Sequence, residues 1–172
     1  MAESVIALGG NVGGETQVRI TLDRAIAALC DDIDVTLLAR SSDYRTTPWG
    51  VTDQPSFVNC VIVATTELSP PALLERAQDV EREFGRDRAR EQHWGPRTLD
   101  IDLIAYDDVT RTTPMLTLPH PRALERAFVL MPLAEIAPDA RILGVRAKDA
   151  LARVDATGIE KLQPRDGIGR AL

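Results

Sequence analysis

Apolar positions follow two rhythms along this chain, and together they lay out its elements. Ser4–Leu8 is a short apolar run closed by Gly9-Gly10-Asn11, with Gly13-Gly14 continuing the turn, and it predicts a first buried strand. From about Thr16, the residues Val18, Leu22, Ala25, Ile26 and Leu29 recur on one side of a helix. Val35–Arg45 predicts a second strand, long and bent. Thr46–Ser56 holds Pro48, Gly50 and Pro55 and is a loop. The β-branched run Phe57–Thr65 predicts a third strand. Ser69 is placed to cap a helix that begins at Pro70, carries Leu73, Ala77, Val80 and Phe84 at helical spacing, and stops at Gly85.

After a polar stretch the period changes to two. Leu99, Ile101 and Leu103 alternate with Asp100 and Asp102, which predicts a fourth strand with one apolar face and one acidic face. Asp107-Asp108 turns the chain into an extended segment ending near Leu118. Pro119-His120-Pro121 is a stiff loop. Helical spacing resumes over Ala123–Ile136, with a break expected at Pro132, and a short helix is expected at Ala147–Val154. Residues 156–172, with three glycines, are expected to be a loosely held tail of a single domain spanning 1–172. The order β-α-β-β-α-β predicts a ferredoxin-like α+β sandwich with appended strands and helices. In it the first and fourth strands are expected at the centre, helices on one face, and a site on the other under long loops. Fold alone does not fix function.

Composition narrows the function classes. The chain has 172 residues, 44% hydrophobic and 27% charged, enough for one full core. A net charge of −6 argues against a general nucleic-acid or membrane-surface binder. Cys30 and Cys60 lack metal-ligand spacing and read as reduced core thiols. The apolar run at Val5–Leu8 is too short for a signal or a membrane span, so a cytoplasmic location is expected.

Several groups carry candidate chemistry. Asp100 and Asp102 are two residues apart on a strand, so their side chains share a face roughly 6.6 Å apart and could converge on hard cations. A lone Asp-x-Asp also fits a solvated strand face. What precedes it changes the balance: Trp94-Gly95-Pro96-Arg97 shapes an approach and offers fixed donors for phosphate oxygens. Across Arg86–Arg97, four arginines against two carboxylates leave the loop at +2 inside an acidic chain. That pattern fits a lid over an anion as well as a solvated charged loop. Phe57 and Asn59 share a strand face, so a ring could stack while a carboxamide reads its edge; a core Phe beside an edge Asn fits too. Prolines flank His120, which suits a phosphate donor or a structural hydrogen bonder, and no zinc spacing is present. Arg126-x-Phe128 says little alone. Gly9-Gly10-Asn11-Val12-Gly13 is neither a dinucleotide fingerprint nor a P-loop.

As an ordered set, these motifs resemble the 6-hydroxymethyl-7,8-dihydropterin pyrophosphokinase family of folate biosynthesis. The resemblance runs from Ile6 to about Asp139. It rests on Leu8-Gly9-Gly10-Asn11, Tyr44 through Gly50, Asp53-Gln54-Pro55 through Asn59, Gly85-Arg86, His93 through Ile104, Leu118 through Pro121, and Arg126-Ala127-Phe128. The block from Trp94 to Asp102 is the specific one. The resemblance implies transfer of the β,γ-pyrophosphoryl group of ATP to the pterin hydroxymethyl oxygen, with release of AMP. It implies that Asp100 and Asp102 hold two magnesium ions. Phe57 and Phe128 would sandwich the pterin, and Asn59 would read its edge with backbone groups near Thr46, Pro48 and Trp49. Arg86, Arg88, Arg97, His120 and Arg126 would meet phosphates. Gln78, Leu103 and Thr117 would fall near the nucleotide, and Trp94 would move as the arginine loop closes. A monomer acting on these two small molecules, with no nucleic acid or membrane partner, is expected. Three positions depart from the family pattern: Gly10 replaces a usual Ser, Pro121 stands where some members have an aromatic, and the arginine loop is slightly long. Two rivals remain open: another magnesium-dependent phosphoryl or nucleotidyl transferase, and a non-catalytic nucleotide or pterin binder.

Overall fold

The computed structural model describes residues 1–48 and 52–165. In chain order its elements are β1 (Ala2–Gly10), α1 (Glu15–Leu29), β2 (Val35–Arg40), β3 (Tyr44–Thr46), β4 (Phe57–Thr66), α2 (Pro70–Glu83), β5 (Asp100–Tyr106), β6 (Arg111–Thr112), β7 (Thr117–Leu118), α3 (Ala127–Ile136), β8 (Arg141–Ile142), β9 (Val145–Arg146), α4 (Ala147–Leu151) and β10 (Ile159–Lys161). A 3-10 turn at Ala123–Glu125 leads into α3.

The main sheet is antiparallel, in the order β10-β3-β4-β1-β5, with β2 also pairing with β4. The central strands are therefore β1 and β4. The expectation that the Asp-bearing strand lies centrally is corrected here: among the described residues β5 pairs only with β1 and forms an edge. An edge position leaves one row of its backbone groups free for side-chain partners. The expected long second strand is two strands. β2 and β3 pair with successive stretches of β4, and Ser41–Asp43 leave the ladder between them. There the Ser41 N–H donates to the Val61 carbonyl and the Ser41 hydroxyl accepts from the Val61 N–H, each at 2.9 Å, so the break costs no backbone partner.

Period-2 alternation splits the core in two. One face of the sheet, with Ile6, Leu8, Ile62, Ile101 and Leu103, packs against Val18, Leu22 and Leu29 of α1 and Leu73, Ala77 and Val80 of α2. The opposite face, with Val5, Val61, Val63 and Ile104, packs under Val129 and Leu133 of α3 and Ala147 of α4. Helices thus lie on both faces, not one. On the second face they cover only one end, and the other end carries Asn59, Asp100 and Asp102 beside open space.

Helix signals were legible where capping chemistry is strong. The Ser69 hydroxyl accepts from the Ala72 N–H, Pro70 opens α2, and Gly85 follows it at φ +88°. Pro132 does not break α3, which runs through it; the change of path comes at Arg126, between the 3-10 turn and α3. The tail is also corrected as far as Arg165. β10 adds to the edge of β3, and Leu162 is buried in the main core. Residues 166–172 lie outside the described residues.

Candidate active site

Asp100 and Asp102 leave β5 on the face opposite Ile101 and Leu103, at the open end of the sheet. They stand in a cleft of about 340 Å³. Its floor is Ala7, Leu8 and Gly9 of β1. One wall is Thr46, Thr47, Phe57 and Asn59. The other is His120, Arg126 and Phe128, and the rim is Arg86, Arg88, His93, Trp94 and Arg97. The structure therefore gathers twelve of the expected site residues from six separate stretches: Thr46, Phe57, Asn59, Arg86, Arg88, Trp94, Arg97, Asp100, Asp102, His120, Arg126 and Phe128. Gln78 on α2, Leu103 in the main core, Thr117 on β7 and Pro48 are not in its lining. Trp49 lies outside the described residues.

Each carboxylate is braced by guanidinium groups. Asp100 accepts from Arg86 at 2.6 Å and from Arg97 at 3.1 Å. Asp102 accepts from Arg126 at 3.4 Å. Burial, and then the charge of Asp100, push the Asp102 carboxyl up to about 6, with Arg126 opposing. Two acids held this close resist joint ionisation until a cation shares them.

Arg86 is turned inward. Its side chain is 4% exposed and caged by Glu81, Glu91 and Asp100. In this arrangement its guanidinium meets three carboxylates at the edge of the cleft and braces Asp100. Arg88 and Arg97 are more accessible than Arg86, at 55% and 22%. Arg88 is tethered to the Glu81 carboxylate at 2.6 Å.

Glu81 was missed by the motif reading. It is 1% exposed and accepts from Arg86, Arg88 and the Ile101 N–H, the last at 2.8 Å. Burial pushes its carboxyl upward, against the pull of these donors. A signal existed in the sequence: Glu81 falls four residues after Ala77, on the apolar stripe of α2. A charge on such a stripe needs partners.

Asn11 was also underweighted. Its amide donates to the Gln54 side chain at 3.0 Å and to the Pro55 carbonyl at 2.9 Å, while its carbonyl accepts from the Arg97 N–H at 2.9 Å. It ties the end of β1 to both loops around the cleft. Two neighbouring glycines allow this closeness. A Cβ at Gly9 would fall 2.1 Å from Asn59 Oδ1, and one at Gly10 would fall 2.6 Å from the Thr98 carbonyl. Gly10 thus leaves no room for the hydroxyl of a serine on this backbone.

The wall residues support a flat ligand. Asn59 donates to the Thr46 hydroxyl at 2.8 Å, fixing its amide plane. The Arg126 guanidinium stands 5.5 Å over the Phe128 ring, linking the aromatic wall to Asp102. Burial, with the charge of Arg126, lowers His120 to about 4, and its Nδ1 accepts from the Arg122 N–H at 3.1 Å. Its other nitrogen is then a neutral donor at neutral pH. Trp94 has φ +59°, and its carbonyl accepts from Gln54 at 2.9 Å; its indole packs 4.5 Å from His93 on the exposed loop.

Comparison with known proteins adds an independent line. Residues 5–138 match the family model described as 7,8-dihydro-6-hydroxymethylpterin-pyrophosphokinase. A Methylorubrum extorquens protein named 2-amino-4-hydroxy-6-hydroxymethyldihydropteridine pyrophosphokinase is 44% identical over 163 residues, covering 95% of this chain and 100% of that one. A Bacillus subtilis protein of the same name is 40% identical, covering 95% and 92%. Among solved structures, the Plasmodium falciparum HPPK-DHPS crystal structure with pteroate matches with a TM-score of 0.67 at 12% identity. That match covers 88% of this chain but only 42% of the other, so this chain spans less than half of that protein.

Proposed function

The chain belongs to the 7,8-dihydro-6-hydroxymethylpterin-pyrophosphokinase family, and from that premise we propose that its cleft transfers pyrophosphate from ATP to the hydroxymethyl group of 6-hydroxymethyl-7,8-dihydropterin, releasing AMP. The observation that carries this reading is the meeting, in one cleft, of a pair of acids, a rim of arginines and two aromatic rings on facing walls. Such a cleft suits a substrate pair that is polyanionic at one end and flat and apolar at the other.

The order β1-α1-β2/β3-β4-α2-β5, with β1 and β4 central, supports a ferredoxin-like core to which β10, α3 and α4 are appended. The donor set fits magnesium. Asp100 and Asp102 offer hard oxygens side by side, and among the described residues no cysteine lines the cleft with them. Among the described residues no group of three or more His, Cys, Asp or Glu forms a complete protein cage. That accords with a cation that takes its remaining oxygens from phosphate and water. Asp100 and Asp102 would hold two such ions, whose charge offsets that of the triphosphate.

The protein's own residues then bind and orient. Phe57 and Phe128 hold the ring from two sides. Asn59, its plane set by Thr46, offers an acceptor and a donor to the ring edge. Arg97, Arg126 and the neutral His120 direct donors at phosphate oxygens. Arg88 leaves Glu81 to join them, and Trp94 travels with the loop. Arg86 keeps Asp100 in place. Transfer of this kind needs placement and charge neutralisation more than covalent help.

The test is to incubate the protein with ATP, magnesium and the hydroxymethyl-dihydropterin and to identify the nucleotide released. AMP with a diphosphorylated pterin is expected. ADP would mean simple phosphoryl transfer, free pyrophosphate would mean adenylyl transfer, and binding without turnover would mean a non-catalytic protein; each would overturn this reading.

A further inference from the structure

The family match ends at residue 138, yet the chain returns to the cleft twenty residues later. β10 pairs with β3, Ile159 opposite Thr46. β3 is three residues long, and its other neighbour is β4, where Thr46 faces Phe57 and Tyr44 faces Asn59. A strand this short gains much of its order from a second neighbour. Just before β10, Gly158 meets the cleft wall directly: the Thr47 hydroxyl donates to its carbonyl, at 3.4 Å.

The returning segment is held from its far end. The Leu162 N–H donates to the Asp43 carbonyl at 2.9 Å, and the Leu162 side chain is buried in the main core. Arg19 of α1 donates to the Gln163 carbonyl at 2.7 Å and to the Asp43 carboxylate at 2.8 Å. Arg165 pairs with Asp23 of α1. The clamp therefore lies outside the cleft, and the free end of the strand reaches into its wall.

We propose that the segment Gly158–Arg165 is a positioning element for the ring-binding half of the cleft: it sets Thr46 and Thr47, and through the Thr46 hydroxyl it sets the Asn59 amide. The inference rests on the pyrophosphokinase reading and extends it to a part of the chain beyond the residues 5–138 of the family model. Among the described residues no hydrogen bond or ion pair joins this segment to Asp100, Asp102 or the arginine loop, so its influence falls on the pterin and not on the nucleotide.

Gly158 provides the test. Its φ is +81°, and a Cβ there would lie 2.7 Å from Thr47 Oγ1, so Gly158→Ala must displace either the strand end or Thr47. The position is exposed, so the core is spared. In the full-length protein the Michaelis constant for the pterin should rise about five- to twenty-fold, with that for ATP within about two-fold of the parent. Leu162→Ala, acting on the clamp, should give the same split, with thermal melting run beside it to confirm a folded protein. A pterin constant within two-fold of the parent in both variants overturns the inference. An equal rise for ATP and pterin also overturns it, since β10 would then be general scaffold. An unsubstituted protein that releases no AMP would instead sink the pyrophosphokinase reading itself.

Discussion

The carboxylate of Glu81 accepts a hydrogen bond from the backbone N–H of Ile101 at 2.8 Å, at the one residue that separates Asp100 from Asp102. Because β5 is an edge strand, that N–H has no strand partner on its outer side, and a helix side chain takes the place of one. The same carboxylate holds Arg86, which holds Asp100. One buried acid on α2 thus fixes both the backbone and a side-chain brace of the acidic pair. Replacing it with Ala leaves Arg86 with one fewer counter-charge and Ile101 unpaired. Glu81→Ala should cost about 3 kcal/mol in urea denaturation. Glu81→Gln, which keeps an acceptor, should cost less and retain more activity.

The acidic pair itself should be separable from ring binding. Asp100→Asn and Asp102→Asn keep shape and lose charge. Each should lower turnover by about 10²-fold or more, while affinity for the pterin changes much less. Steady-state rates over a magnesium series, with calorimetric titration of the pterin beside them, check this. Parent-like turnover of both variants at limiting magnesium would remove the metal role.

Gly9 should tolerate no side chain. A methyl group there would overlap Asn59 Oδ1, whose amide is already tied to Thr46. Gly9→Ala should cost about 1–3 kcal/mol by overpacking and weaken pterin binding more than ATP binding. Paired melting and binding measurements test both parts.

His120 sets a pH dependence. Its folded value of about 4 lies below the ordinary 6.5, because burial and Arg126 disfavour the imidazolium. The unfolded chain therefore binds the proton more readily between these values, and stability falls as pH drops from about 6.5 to 4. Its contribution is fully present above that window. Urea unfolding free energies measured across it should fall less steeply for His120→Gln than for the parent, by at most about 3 kcal/mol in all and less because solvent screens the half-buried imidazole. The chain has two histidines, so NMR titration with His93 replaced reads His120 directly.

Much of this site was open to reading before any tertiary contact was known. The alternation around Asp100 and Asp102 put both acids on one strand face, and the same rule joined Phe57 to Asn59, because side-chain direction along a strand is set locally by the pleat. Ser69, Pro70 and Gly85 marked the ends of α2 for the same reason: caps are made by neighbours in sequence. The break at Pro132 was misread because Pro132 is buried in a helix packed against β4 and α4, where tertiary contacts offset a missing N–H that an isolated helix would feel.

What sequence could not decide is where separate stretches meet. Strand order depends on pairing among residues more than a hundred positions apart, so the place of β5 at the edge had no local signature. The inward turn of Arg86 depends on Glu81 and Asp100 arriving from two other elements. The docking of Gly158–Arg165 depends on Arg19, Asp23 and Asp43, which a polar, glycine-bearing tail does not announce. The sequence determined which side chains share a face and which chemistry they can do. The tertiary structure decided which faces confront one another, because burial and charge pairing reward contacts that chain order does not encode.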